Sequence, residues 1–235
     1  MNEYSSHGVQ VRVEPMVCLS SGWEIIKDQY WMFFAISLAG VLLASFVPVG
    51  ILLGPMYCGI FYAWFKLEQG EKLTFEMLFK GFDHFVESLI ATLILIGVGM
   101  VVFIPTYFIL MATVILGIVG AEGQQDATIS AILVISIVLI LVIVVALMTL
   151  AGVLSLFIYP LIVDRNLKAI PAVKASISAG WAHFGGLFAL GILLSIISII
   201  AMFFCYIPIF LVMPLFFSTT AVVYRKVFPV EAVEV

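Results

Sequence analysis

Two histidines and two proline pairs are the residues whose types and spacing could support chemistry. His84 and His183 hold matching places in Gly81-Phe82-Asp83-His84-Phe85 and Gly180-Trp181-Ala182-His183-Phe184. Two imidazoles brought together would bind haem or a metal ion, or titrate near neutral pH. Neither has a third ligand at metal-site spacing, and a place at headgroup level beside aromatic anchors accounts for both equally well, so the pattern specifies no metal centre. The prolines are Pro48 and Pro55 in one part of the chain, and Pro208 and Pro214 in another. Proline-interrupted helices at matching places in a repeat expose backbone carbonyls that can line a substrate path, and Ser218, Thr219 and Thr220 follow Pro214 as a hydroxyl cluster. Those seven residues are the candidate path of a carrier for an uncharged or lipidic substrate. A plainer reading competes with it. Pro48 and Pro208 fall where hairpins must turn, and Pro55 and Pro214 sit early in the outgoing helices, where a missing N–H costs least.

Catalytic groups are missing from the pattern. There is no HExxH, no GxSxG, no P-loop and no paired acid and base, and no Asp, Glu, Lys, Arg or His lies inside an expected span. Enzymatic activity, a resident cofactor and ion-coupled pumping are therefore not expected. Cys18, Cys58 and Cys205 are scattered and read as small packing residues. No basic stretch points to nucleic acid.

The elements that must position these residues are membrane spans. Hydrophobic residues make up 64% of the 235-residue chain and charged residues 10%, far from the values of a soluble domain. All ten basic residues fall on one side once the apolar runs are threaded through a bilayer. Arg12 and Lys27 precede the first run. Lys66, Lys72 and Lys80 separate the second and third, Arg165, Lys168 and Lys174 the fourth and fifth, and Arg225 and Lys226 follow the sixth. Basic loops resist translocation, so the threading predicts six spans with both termini cytoplasmic, the first span serving as an uncleaved insertion signal.

The expected fold is an all-α polytopic membrane domain of three hairpins, at 31–66, 89–163 and 185–226. An amphipathic helix in the cytoplasmic interface precedes each, at 11–30, 70–88 and 164–184. On the first, Met16, Leu19, Trp23, Ile26 and Tyr30 share a face; on the second, Phe75, Leu78, Phe79, Phe82, Phe85 and Val86. The middle hairpin is overlong: its first run, about 89–119, would reach roughly 45 Å against a hydrocarbon core of about 30 Å. Ser21-Gly22-Trp23 with Pro48 and Pro55 answers Ala179-Gly180-Trp181 with Pro208 and Pro214, and Gly81-Phe82 joins more weakly, so the three units form a parallel repeat.

Asp164-Arg165, Pro171-Ala172-Val173-Lys174-Ala175-Ser176 and Gly180-Trp181, leading into an apolar run, resemble a group of bacterial integral membrane proteins. The group comprises the YciC-like proteins and the membrane domain that precedes some glycerophosphoryl diester phosphodiesterases. The resemblance covers about 23–224 and implies a six-helix bundle in the bacterial cytoplasmic membrane with interfacial segments. It brings no activity, because this chain carries no phosphodiesterase domain.

These observations favour a structural or accessory subunit, or a scaffold, whose partners are membrane lipids and other membrane proteins. The acidic 70–88 segment and the basic 164–184 segment are expected to touch, for instance through Glu76 or Asp83 with Lys168 or Lys174. Cysteine accessibility tests the threading. Single cysteines should label from outside at Gln124 and only from inside at Lys72; exterior labelling at both would refute six spans.

Overall fold

The computed structural model describes residues 14–46, 50–121, 127–203 and 207–229. These are helical almost throughout, with no strand among them. Helix α1 (Pro15–Ile26) passes through a short 3-10 turn (Lys27–Gln29) into α2 (Tyr30–Phe46), and α3 (Leu53–Glu68) follows. A 3-10 helix (Phe75–His84) runs into α4 (Phe85–Ala121), and then come α5 (Ala127–Ser155), α6 (Ile158–Arg165), α7 (Ala169–Ala182), α8 (Phe184–Phe203) and α9 (Ile207–Val227). Among the described residues, four stretches are long and apolar enough to cross a membrane: Pro15–Phe46, Phe75–Ile115, Leu133–Arg165 and Phe210–Val227. A fifth is added if Ala169–Ala182 and Phe184–Ile197, bent by 92°, are taken together.

Contacts divide the chain into two units, one of residues 1–92 and 153–235, the other of Leu93–Gly152. The first unit is built around α3. This helix has only 16 residues, about 24 Å at 1.5 Å per residue, which is less than a hydrocarbon core. It is buried on nearly every side, from Met56, Cys58 and Ile60 to Ala63, Trp64 and Leu67. A helix apolar all round is stable at the centre of a bundle, where protein rather than lipid surrounds it. Helix α2, the 75–84 helix, α6 and α9 all pack on it.

The closest packing is backbone on backbone. A Cβ added at Gly59 would lie 1.9 Å from the carbonyl oxygen of Leu78, and one added at Gly81 would lie 1.9 Å from that of Pro55. Only glycines permit that crossing, and in lipid, where apolar burial between helices gains little, such close van der Waals contact is the main attraction available. The 3-10 winding of 75–84 differs from the amphipathic α-helix expected for 70–88, and it splits the expected stripe. Leu78 and Gly81, three residues apart and eclipsed in a 3-10 helix, face α3 and are buried. Phe75, Phe79 and Phe82 point outward, and their rings continue to Phe85 as a ladder with centroids 6.0 to 6.5 Å apart.

Helix α1 adds a packing face that the sequence reading did not single out. Its buried face is Cys18, Gly22 and Ile26, a small-residue seam at four-residue steps that packs on α9. From the expected apolar stripe, Met16 is 68% exposed and Trp23 46% exposed. Helix packing selected the side with the smaller residues, which lets the two backbones approach, and left the bulky side outward.

The fourth run, expected as one helix, breaks at Leu156–Phe157 between α5 and α6. Pro160 lacks the N–H that would have bonded Leu156. The break frees the Leu154 carbonyl and the Phe157 N–H, and the Ser176 hydroxyl of α7 takes both, donating to the first at 2.7 Å and accepting from the second at 3.2 Å. Pro208, expected at a turn, occupies the second position of α9, where the first-turn N–H needs no partner. Pro48 and Cys205 lie outside the described residues.

The second unit behaves differently. Among its residues whose side chains are described, Gly117 alone is buried, against Leu133. Phe103, Phe108, Ile135, Val142 and Val145 are among many large apolar side chains it exposes.

The glycine crossing yields a paired test. Gly59→Ala or Gly81→Ala should destabilise the folded protein in detergent by about 1–3 kcal/mol, as overpacking does. Gly97→Ala should leave thermal unfolding unchanged or slightly raised, because nothing lies within 4 Å of its added Cβ.

Candidate functional site

Three helices, α3, α6 and α9, meet in the first unit through stacked layers of side chains. Tyr57 of α3 packs edge-on against Tyr159 of α6 and against Phe217 of α9, each with centroids 5.4 Å apart. In a second contact the buried Trp64 indole N–H donates to the Ser218 hydroxyl at 2.8 Å, and Ser218 donates to the Gly22 carbonyl at 2.8 Å. One hydroxyl thus ties α3, α9 and α1 together. Ser218 both donates and accepts, so neither the indole N–H nor the hydroxyl is left unpaired in the apolar interior.

The charged ends of the same helices converge. Arg225 of α9 donates through Nε to Glu68 of α3 at 2.8 Å and through Nη1 to Asp164 of α6 at 2.9 Å. Its guanidinium lies 4.4 Å from the Phe65 ring centroid, and the Tyr224 hydroxyl donates to the second Asp164 oxygen at 2.7 Å. A planar fork with several donors is what joins two carboxylates at once, which a lysine would not do as well. Arg165 turns away to the Pro229 carbonyl at 3.0 Å. Beside the node, Lys66 donates to Glu71 at 2.9 Å.

The first unit also closes on itself in repeat order. The 75–84 helix of the second repeat docks on α3 of the first, α7 of the third docks on α6 of the second, and α1 of the first docks on α9 of the third. The first and last of these contacts centre on the repeated glycine, whereas Gly180 of α7 packs on the end of α5, just before α6. Gly81 meets Gly59, four residues after Pro55; Gly22 meets Ser218 and Thr219, at the same offset from Pro214; Gly180 meets Val153 and Leu154.

The sequence candidates fall into this scaffold as follows. Pro55 and Pro214 are buried, the first with its carbonyl against Gly81. Pro208 is the second residue of α9. Ser218 is engaged as described, and Thr219 donates to Leu215 of its own helix at 2.7 Å. Thr220 is buried with no hydrogen-bond partner, as is Ser37 of α2. His84 ends the 75–84 helix and His183 caps α7, each half-buried at the start of a long apolar helix. No hydrogen bond joins the two imidazoles among the described residues, and no group there of three or more His, Cys, Asp or Glu could hold a metal ion. A shallow apolar groove of about 580 Å³ opens between α1 and α9, lined by Met16, Val17, Leu19, Ser20, Trp23 and Leu215.

Contact between the acidic and basic segments exists in a form other than the expected ion pair. The Glu87 carboxylate accepts the Ala169 N–H at 2.7 Å, at the first residue of α7, where a free N–H and the helix dipole favour a negative charge. Lys80 instead stands by Asp83 on its own segment, 4.0 Å away.

Sequence reasoning missed Glu68, Asp164 and Arg225 as a group. Each sits near the C-terminal end of its helix, and that common placement was the available signal. The comparisons add nothing to these assignments: no family model, curated protein or solved structure matches the chain.

Three substitutions test the site's architecture. Arg225→Gln leaves two carboxylates facing each other; with side chains 15% to 32% exposed, the expected loss is about 1–3 kcal/mol, below that for a fully buried pair. Glu68→Gln in the same chain should recover part of it. Ser218→Ala strands the Trp64 N–H and should cost about 1–3 kcal/mol. Denaturant unfolding in detergent followed by circular dichroism measures each.

Proposed function

We propose that this protein is a non-enzymatic integral membrane protein, a structural or accessory subunit or scaffold. Its second unit is the surface that meets other membrane proteins. The observation that carries this reading is the contrast between the units. The first closes its own helices through glycine crossings and satisfied hydroxyls, whereas the second exposes many large apolar side chains of α4 and α5, among them Phe103, Phe108, Ile135 and Val142. Helix α4 has 37 residues, about 55 Å at 1.5 Å per residue, and its surplus over a core of about 30 Å needs tilt or a protein neighbour.

The proposal includes six spans, with α3 as the short second one, three hairpins and both termini in the cytoplasm. The one-sided distribution of basic residues supports this orientation. The proposal also includes the bacterial cytoplasmic membrane as the location, which a resemblance to the YciC-like group would imply.

A carrier for an uncharged or lipidic substrate is the second reading. The observation favouring it is the pair of buried hydroxyls without partners, Ser37 and Thr220. Against it, Ser218 and Thr219 are consumed by helix contacts and Pro55 by the glycine crossing.

Photo-crosslinking decides between them. A photoreactive residue at Phe108 or Val142 should give discrete protein adducts in native membranes, and gentle detergent extraction should return a larger complex. Lipid adducts alone, with a stable lone monomer, would contradict the scaffold reading.

A further inference from the structure

The three docked amphipathic elements are related by repeat and by packing, yet they differ in charge. On α1, Glu24 pairs with the following Lys27, whose side chain reaches back one turn. On the 75–84 helix, Lys80 stands by Asp83. Helix α7 carries no acidic residue. Lys174 on its exposed side and Lys168 at its N-cap have no carboxylate partner among the described residues. The nearby cations are already engaged, Arg165 by the Pro229 carbonyl and Arg225 by Glu68 and Asp164. The free N–H at the start of α7 is taken by Glu87, so the helix terminus offers no further place for an anion and the lysines remain.

Geometry gives those lysines a surface to meet. The inner face of α7 is Ala169, Ala172, Ser176, Ala179 and Gly180, all buried. Its outer stripe is Ile170, Lys174, Ile177 and Trp181, at three- and four-residue steps, with Trp181 58% exposed. The helix meets α8 at 92°. With the apolar α8 crossing the bilayer, α7 lies along the bilayer plane. Trp181 stacks on Phe184 and Phe184 on Phe188, with centroids 5.7 and 5.5 Å apart. This carries an aromatic anchor around the bend into the span, as aromatic side chains do at headgroup level.

We infer that the outer face of α7 is a docking surface for anionic phospholipid, with Lys168 and Lys174 on the headgroups and Ile170, Ile177 and Trp181 among the upper acyl chains. The inference extends past the scaffold reading and requires only that α8 spans the membrane. Helix α1 and the 75–84 helix, whose lysines are already neutralised, meet lipid without this charge selectivity. The protein therefore gathers anionic lipid on one flank.

The test uses the full chain in liposomes, with a fluorophore on Ser178→Cys of α7 and the native cysteines replaced by alanine. Brominated phosphatidylglycerol and brominated phosphatidylcholine compete as quenchers. Phosphatidylglycerol should be preferred at low salt, with the preference falling about fivefold for each lysine removed. It should vanish in K168Q/K174Q, weaken in 1 M salt and survive in K27Q/K80Q, which removes the same charge from the other two elements. Equal quenching by both lipids in the parent chain would overturn the proposal. So would an equal loss in K27Q/K80Q, which would make the effect one of net charge. Inorganic phosphate abolishing the preference at constant ionic strength would mark a free-phosphate site and overturn it as well.

Discussion

Where Gly81 crosses Gly59, two backbones touch with no side chain between them, and the positions of the neighbouring helices follow from that approach. With the 75–84 helix pressed against α3, Leu78 reaches over to Gly40 of α2 and closes the packing on a second side. The next turn brings Ser88 and Thr92 onto Gly54, and Thr92 then meets the Tyr159 hydroxyl of α6 at 3.1 Å. Helices in lipid gain little from hiding apolar surface from each other, so their attraction depends on how closely they approach. A methyl group at either crossing glycine would spread α2, α6 and the start of α4 together.

The second constraint is that each irregularity in a lipid-immersed backbone must find a partner nearby. The chain meets it with single side chains from adjacent elements. Ser176 fills the break between α5 and α6, Glu87 caps α7, and Tyr30 donates to the Leu211 carbonyl, one turn before Pro214, at 2.6 Å. Gln29 does both jobs at once, accepting from the Leu73 N–H at 2.8 Å and donating to the Glu71 carbonyl at 3.2 Å. These contacts all join elements distant in sequence, so the polar groups fix register while the glycines fix distance. The node at Arg225 then draws together the ends of α3, α6 and α9.

Much of this was legible before the structure, and the limits have physical causes. Apolar run length placed α2, α8 and α9 closely, because membrane helices announce themselves by composition. The recurrence of Gly22, Gly81 and Gly180 was also visible, but not its purpose: a glycine at an interface and a glycine at a helix crossing read alike. Period-3.6 reasoning picked out the interfacial stripe of α1, from which Met16 and Trp23 face outward, but not the seam of Cys18 and Gly22 that packs on α9. In lipid, small faces pack together and bulky ones meet acyl chains. Ser176 and the trio Glu68, Asp164 and Arg225 were illegible because their roles exist only after distant segments converge. They look in sequence like an ordinary helix serine and ordinary charges at span ends.

The amphipathic elements dock in a fixed order, each on the end of the preceding repeat and the first on the last. The contact of α1 with α9 closes that order and joins the two most distant parts of the chain. Ser20 and Leu215 line the same groove between them. The most direct measurement is cross-linking of a S20C/L215C pair, in a chain with its native cysteines replaced by alanine, using a short bifunctional thiol reagent in native membranes. The account predicts rapid intramolecular cross-linking. Two freely alkylated cysteines with no cross-link, in protein that remains folded, would contradict it.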